Sequence, residues 1–131
     1  MPSIFTRIVA REIPAHIVYE DSDFLAFLDI RPIRAGHTLV ISKAEVPDVF
    51  DLPDPLLEGL LLFARPVARA IQQVTQATRV GMVVIGLEVP HAHVHLVPID
   101  GVNDIDFRRA SPASDEELAA TADRIRAALA T

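Results

Sequence analysis

Within seven residues, His91-Ala92-His93-Val94-His95-Leu96-Val97, three of the chain's five histidines alternate with apolar side chains. Successive side chains of an extended strand point to opposite faces, so this spacing predicts a strand with His91, His93 and His95 on one face. Ala92, Val94 and Leu96 then point the other way, into a core. A strand with two such different faces constrains the rest of the chain. One side has to be packed, and the other has to stay near a cleft. Just upstream, Arg79 to Ile85 is rich in β-branched residues and reads as the partner strand, with Gly86 to Pro90 as the turn between them.

Taken in order, the chain supplies further elements around that strand. Ser3 reads as the cap of a short helix over Ile4 to Glu12, with Ile4, Phe5 and Ile8 on one face and Pro14 marking the exit. His16 to Glu20 and Phe24 to Asp29 read as two strands joined at Asp21-Ser22-Asp23. Arg31 to Gly36 is a loop, and Thr38 to Ile41 is a short buried strand led by His37. Pro47, Pro53 and Pro55 leave room for only one helical turn near Val49-Phe50. Leu57, Leu60, Leu61, Ala64, Val67, Ala68, Ile71 and Val74 recur at helical spacing, so Leu56 to about Gln76 is the main helix, bent at Pro66. Asp100 to Pro112 has no clear period. Ser114-Asp115-Glu116-Glu117 is a capping-box pattern opening a last helix to Leu129, with Leu118, Ala122, Ile125 and Leu129 inward. His16 is read as a surface residue and Arg108-Arg109 as a solvated pair. No repeat or linker divides residues 1–131, which form one α+β domain with a mostly antiparallel sheet.

Composition narrows the function classes. A net charge of −6 with no basic cluster argues against nucleic acid as a partner. Without cysteine there is no disulfide, thiolate metal site or thiol nucleophile. The most apolar run, Leu60 to Ala64, is too short to span a bilayer, and the N-terminus lacks the layout of a secretory signal. These features describe a soluble protein, expected in the cytoplasm, with no membrane partner.

His91-Ala92-His93-Val94-His95-Leu96-Val97 resembles the signature of the histidine triad (HIT) family, His-x-His-x-His followed by apolar residues. Ser3-Ile4-Phe5 and Ile13-Pro14-Ala15 look like that family's N-terminal helix and its exit. Asp29-Ile30-Arg31-Pro32 through Gly36-His37-Thr38-Leu39-Val40-Ile41 is similar to its second block, in which a histidine precedes a strand. The resemblance covers residues 3 to 98 and is closest to the Hint-type nucleoside phosphoramidase branch. It implies a HIT fold: about five antiparallel strands, a long central helix and a C-terminal helix. It also implies a homodimer formed by extending the sheet and packing the long helices.

For the site, the resemblance implies that His93 is a nucleophile attacking the α-phosphorus of a nucleotide. His95 would contact the phosphate oxygens, and His91 and His37 would support and orient the cluster. Asp29 falls where an acid holds the ribose hydroxyls, and Ile4, Phe5, Ile8, Phe27 and Ile30 match the apolar slot for a purine. Glu88 and Val89, just before the triad, complete the substrate-binding set. The reaction implied is hydrolysis of a nucleoside 5′-phosphoramidate or related AMP conjugate through a nucleotidyl-histidine, with no cofactor. Dinucleoside polyphosphates are the alternative substrate, and purine-nucleotide binding without turnover is the alternative role.

The residue types suit such chemistry. An imidazole with an unperturbed pKa of about 6.5 is largely an uncharged nucleophile near neutral pH. Nucleotidyl transfer then needs mainly positioning and stabilisation of charge on the non-bridging oxygens. Three positions depart from the family's pattern. Val80 stands where an amide is usual, Leu87 where a Gln is, and Glu88 where a Ser or Thr is. Val80 and Leu87 are expected to remove polar contacts near the phosphates. Glu88 would place a carboxylate beside an anionic phosphate, which favours a positively charged or amine leaving group unless the side chain turns away. A metal site is the competing use of the histidines. His91 and His95 lie about 13 Å apart along a strand, so one ion would need His37 or an acid as a further ligand, and no metal is expected. On the residues alone, Phe5, Ile8, Phe27 and Ile30 fit a core, and Asp29 fits a turn before Pro32.

Overall fold

A computed structural model describes all 131 residues. Five strands form one antiparallel sheet in the order β1 (Ile17–Glu20), β2 (Phe24–Leu28), β3 (Thr38–Ser42), β5 (His93–Ile99), β4 (Arg79–Val83). Three helices accompany it: α1 (Ile4–Val9), α2 (Asp54–Thr75) and α3 (Asp115–Leu129). The histidine strand β5 is therefore interior, paired on one side with β3 and on the other with β4.

The alternation expected along the strands holds across the sheet and splits it into two faces. Phe24, Ala26, Leu28, Val40, Val94 and Leu96 point to one side, where α2 and α3 cover them in the main core. Burying a side chain such as Leu96 there stabilises the fold by roughly 1.5–3 kcal/mol. Leu25, Phe27, Leu39 and Ile41 point to the other side, where they meet Phe5 and Ile8 of α1 and a thin rim of half-buried residues, Val9, Ile13, Ala15, Ile17 and Val89. His93 pairs in register with Ile41, and His95 with Leu39 and Val83, so both imidazoles belong to this second, thinly covered face.

Both predicted helix starts are present. The Ser3 hydroxyl accepts from the Thr6 N–H at 3.0 Å, and the Ser114 hydroxyl accepts from the Glu117 N–H at 3.1 Å. Helix α2 runs unbroken through Pro66, and Leu62, whose carbonyl loses its helical partner there, is exposed and can bond water. Its buried stripe is Leu60, Phe63, Ala64, Val67, Ala70 and Ile71, whereas Leu57 and Leu61, expected inside, are exposed. Apolar residues surround much of this helix, so periodicity alone selects the wrong members. The region before it holds a single 3-10 turn at Val49–Asp51. No helix of the chain is long and apolar enough to cross a membrane.

Several boundaries differ from expectation. Helix α1 stops at Val9, and Arg11 takes a left-handed conformation (φ 63°) to turn the chain toward β1. Strand β4 ends at Val83. Strand β5 begins at His93, so His91 lies in the bend before the strand. Pro90 cannot donate to a ladder, and the neighbouring amides are used elsewhere: His91 N–H bonds Val89 O at 2.8 Å, and Ala92 N–H bonds Val46 O at 2.7 Å. His16, expected as a free surface residue, is half-buried with Nε2 2.8 Å from the Asp115 carboxylate at the start of α3. Arg108 and Arg109 are exposed but reach Asp106 at 3.0 Å and Asp104 at 3.6 Å.

Candidate active site

Three of the four histidines around the cleft, His37, His91 and His93, have a backbone partner, and those partners dictate where each proton sits. The His91 ring is fully buried, and its Nε2 lies 2.6 Å from the Ser42 carbonyl, which can only accept, so Nε2 carries the hydrogen. Its Nδ1 then accepts from the Ser3 hydroxyl at 2.6 Å. The carbonyl of His91 in turn accepts from Nδ1 of His93, also at 2.6 Å. His93 is thereby left with a lone pair on Nε2. That atom has no protein partner, and no buried polar side-chain atom is unsatisfied, so it opens on the cleft.

His37 and His95 form a second chain of the same kind. Gly36, at φ 101°, makes the turn that leads into His37; a β-carbon there would come within 3.0 Å of Thr75. The Ile33 N–H donates to His37 Nδ1 at 3.0 Å, so the hydrogen sits on Nε2, which donates to His95 Nδ1 at 2.9 Å. His95 is left with its Nε2–H free to donate into the cleft. Burial holds both imidazoles well below their ordinary value of 6.5, at about 4 for His37 and about 4 for His95, where the neighbouring His37 and His93 add to the effect. His37 is therefore neutral near pH 7, and its 3.6 Å approach to the Asp29 carboxylate is not an ion pair. Burial raises the Asp29 carboxyl, against the opposing Arg31 N–H that bonds it at 2.9 Å.

The cleft in front of these rings has a volume of about 690 Å³ and is mostly apolar. All eight expected substrate-binding residues line it: Ile4, Phe5, Ile8, Phe27, Asp29, Ile30, Glu88 and Val89. Phe5, Ile8 and Phe27 are buried and form its floor, so they belong to the core and line the cleft together, while Ile4 and Ile30 stand exposed at its sides. Phe5 sets its ring edge-on to His93 at 5.0 Å, joining the slot to the triad. Of the four histidines, His93 and His95 line the cleft and His91 and His37 lie behind them.

The three departures separate. Leu87 and Glu88 are exposed at the cleft. Val80 is not near it; paired with Pro98, it faces the helices and packs on the main core, while Ile85 lines the cleft. The strand's two-residue period puts Val80 on the opposite face from His95, so its lack of an amide takes nothing from the cleft.

Three contributors carry no signal of this role in the sequence. Ser3 reads only as a helix cap, yet it also bonds His91. Glu45 accepts from the Ser3 N–H and the Thr6 hydroxyl, both at 2.6 Å, and these bonds hold its carboxyl below the usual range. Phe107, from the segment without a period, packs edge-on to His95 at 4.9 Å. The polar contacts span 39 to 88 positions and the Phe107–His95 contact spans 12, separations that leave no mark on local patterning.

Asp29, His37 and His95 bring three donor atoms within 4.8 Å of one another, the grouping a shared cation would need. Their hydrogens argue against it. A cation on His37 Nε2 would displace the proton donated to His95, and the only other place for that proton is Nδ1, at which the Ile33 N–H already points. As arranged, the trio does not fit a resident metal.

Comparison with known proteins agrees with this geometry. The HIT domain pattern matches residues 10–102. A HIT-like protein from Bartonella henselae superposes with a TM-score of 0.84 at 31% identity, covering 96% of this chain and 95% of that one. A zinc-bound histidine triad family protein from Mycobacterium smegmatis gives 0.83 at 33% identity, covering 97% and 92%. The adenosine 5′-monophosphoramidase of Saccharomyces cerevisiae is 34% identical over 96 residues, 72% of this chain and 61% of that protein. With its sheet, its paired histidines and a pattern match spanning most of its length, the chain belongs to the HIT family.

Proposed function

We propose that this protein hydrolyses a nucleoside 5′-phosphoramidate or a related AMP conjugate through a nucleotidyl intermediate on His93. The observation that supports this most directly is the lone pair of His93 Nε2, open to the cleft because the His91 carbonyl holds the proton on the other nitrogen. With the purine in the slot of Ile4, Phe5, Ile8, Phe27 and Ile30 and the ribose on Asp29, the α-phosphorus comes before that atom. Nε2 attacks phosphorus, the bond from phosphorus to the leaving nitrogen breaks, and the departing amine takes a proton from solvent. His95 Nε2–H donates to a non-bridging oxygen throughout. Water then attacks the same phosphorus, the N–P bond breaks, and the nucleoside monophosphate leaves with His93 restored. The Saccharomyces relative, named as an adenosine 5′-monophosphoramidase, supports this substrate class.

Charge favours the phosphoramidate over a dinucleoside polyphosphate. The charged residues lining the cleft are Asp29, Glu88 and Arg31, and the Arg31 guanidinium reaches back to the Ala110 carbonyl at 3.4 Å. Nothing there balances a polyphosphate chain, whereas Glu88 suits a cationic amine. A panel of adenosine and guanosine phosphoramidates, with neutral and cationic amines, assayed against dinucleoside polyphosphates tests the assignment. Faster release of nucleotide from the phosphoramidates is expected. Faster release from the polyphosphates overturns the substrate class, and AMP binding without release from either leaves a binding protein. Glu88→Ser should weaken the preference for cationic amines, and an unchanged preference removes Glu88 from that role.

The same reading makes the protein a cytoplasmic homodimer. Strand β4 pairs only with β5 and leaves its other edge open, beside exposed Met82, Val84 and Ile85, and α2 exposes Leu57, Leu61 and Leu62. Light scattering is expected to give twice the 14.3 kDa chain mass, and Leu61→Glu to shift it toward one.

A further inference from the structure

The HIT domain pattern ends at residue 102, yet the cleft has a wall beyond it, formed by Phe107 and Ala110. Residues 100–113 run as a strap across the loop that carries Asp29 and His37. Arg34 bonds Pro98 O at 3.1 Å, Asp104 at 3.1 Å and Asp100 at 3.2 Å. Asp104 also accepts the Asp100 and Gly101 N–H groups at 2.7 and 2.8 Å, and Ala113 N–H bonds Ile30 O at 3.2 Å. So pinned, the strap delivers Phe107 onto the histidine pair. Its ring centroid is 4.9 Å from that of His95 at 79°, and 6.2 Å from that of His37 at 72°.

His95 needs such a neighbour. Its only hydrogen bond in the protein is the one that Nδ1 accepts from His37, and a single bond leaves the ring free to tilt about it. His93 flanks it on one side at 5.3 Å and 67°, and Phe107 flanks it on another. We propose that Phe107 is a positioning residue of the hydrolase: held by Arg34 and the strap, its ring clamps His95 so that Nε2–H stays aimed at the phosphate. This rests on the reaction assigned above and adds to it a part of the chain that the family pattern does not contain. The titratable groups facing His95 are His37, Asp29 and His93. The strap's own charges are matched, Asp106 with Arg108 and Asp104 with Arg34 and Arg109.

Phe107→Ala in the full-length chain, beside Phe107→Tyr, tests this. Phe107 is 38% exposed, so its loss spares both cores, which circular dichroism checks. For Phe107→Ala, kcat on an adenosine phosphoramidate is expected to fall about 10- to 100-fold, with KM held within about threefold. Tyrosine restores most of the rate. Nitrogen-15 spectra of His95, read without substrate, should move in the alanine variant toward averaged tautomers and a titration midpoint closer to the ordinary imidazole value, because water now reaches the ring. If the wild type turns over and the alanine variant matches it in kcat and in the His95 spectrum, the clamp is wrong while the reaction stands. If the wild type does not turn over, the reaction assigned above fails, and the His95 spectrum alone decides whether Phe107 positions the ring.

Discussion

The two faces of β5 are separated by the thickness of one strand and obey opposite rules. On the helix side, Val94 and Leu96 are sealed under α2 and α3, and any change of volume is felt at once. On the other side, His93 and His95 have the short helix α1, the loops at 13–15, 29–31 and 85–89 and the strap near them, and the space left over is the cleft. The same two-residue alternation builds both. What differs is how much of the chain is available to cover each face: thirty-seven helical residues on one side, counting 22 in α2 and 15 in α3, and six in α1 on the other. Stability and chemistry are thus divided between alternate residues of a single segment.

The sharpest way to break that division is to cut each face in turn. His93→Ala should lower turnover by a factor of about 10⁴ or more, since the proposed reaction loses its nucleophile. Its melting temperature and AMP binding are expected to stay close to wild type. Leu96→Ala should do the reverse, costing about 2–5 kcal/mol in urea unfolding while kcat per folded molecule holds. Loss of stability in the first, or of kcat in the second, would show that the faces are not independent.

Acid should separate them more gently. His37 and His95 titrate at about 4 when folded and near 6.5 when exposed, so between these values the unfolded chain binds protons that the folded chain refuses. Stability is therefore full above pH 6.5 and declines as pH falls toward 4. Urea midpoints at pH 7.5, 6 and 5 check the slope, and His37→Gln should flatten it. The smallest effect expected is at Ser3. Ser3→Ala removes a helix cap worth about 1 kcal/mol and the donor that fixes the His91 ring. A drop in kcat of about tenfold is expected with it. Ser3→Thr keeps the hydroxyl and should restore both.

Much of the scaffold is legible in the sequence because its signals are local. The alternation at 91–97, the caps at Ser3 and Ser114 and the helical spacing after Leu56 each report on neighbours within a few residues. The expected cleft residues also assemble, since the family resemblance orders them along the chain. Illegible were the features set by distant partners. His91 leaves the strand because Val89 and Val46 take up the amides of His91 and Ala92, the two residues after Pro90. Val80 turns out to face the core because the register of β4, which pairs it with Pro98, cannot be read from composition. Glu45 reaches Ser3, which holds His91, and Phe107 reaches His95, only through folding of segments that have no period of their own.

Ser3 has one consequence for anyone handling the protein. Its hydroxyl starts a path of three groups, Ser3 to the His91 ring and, through the His91 carbonyl, to His93. Trimming the first three residues would remove no atom of the reacting centre and would still loosen the proton that defines it. Any tag or cut is therefore best kept away from Ser3.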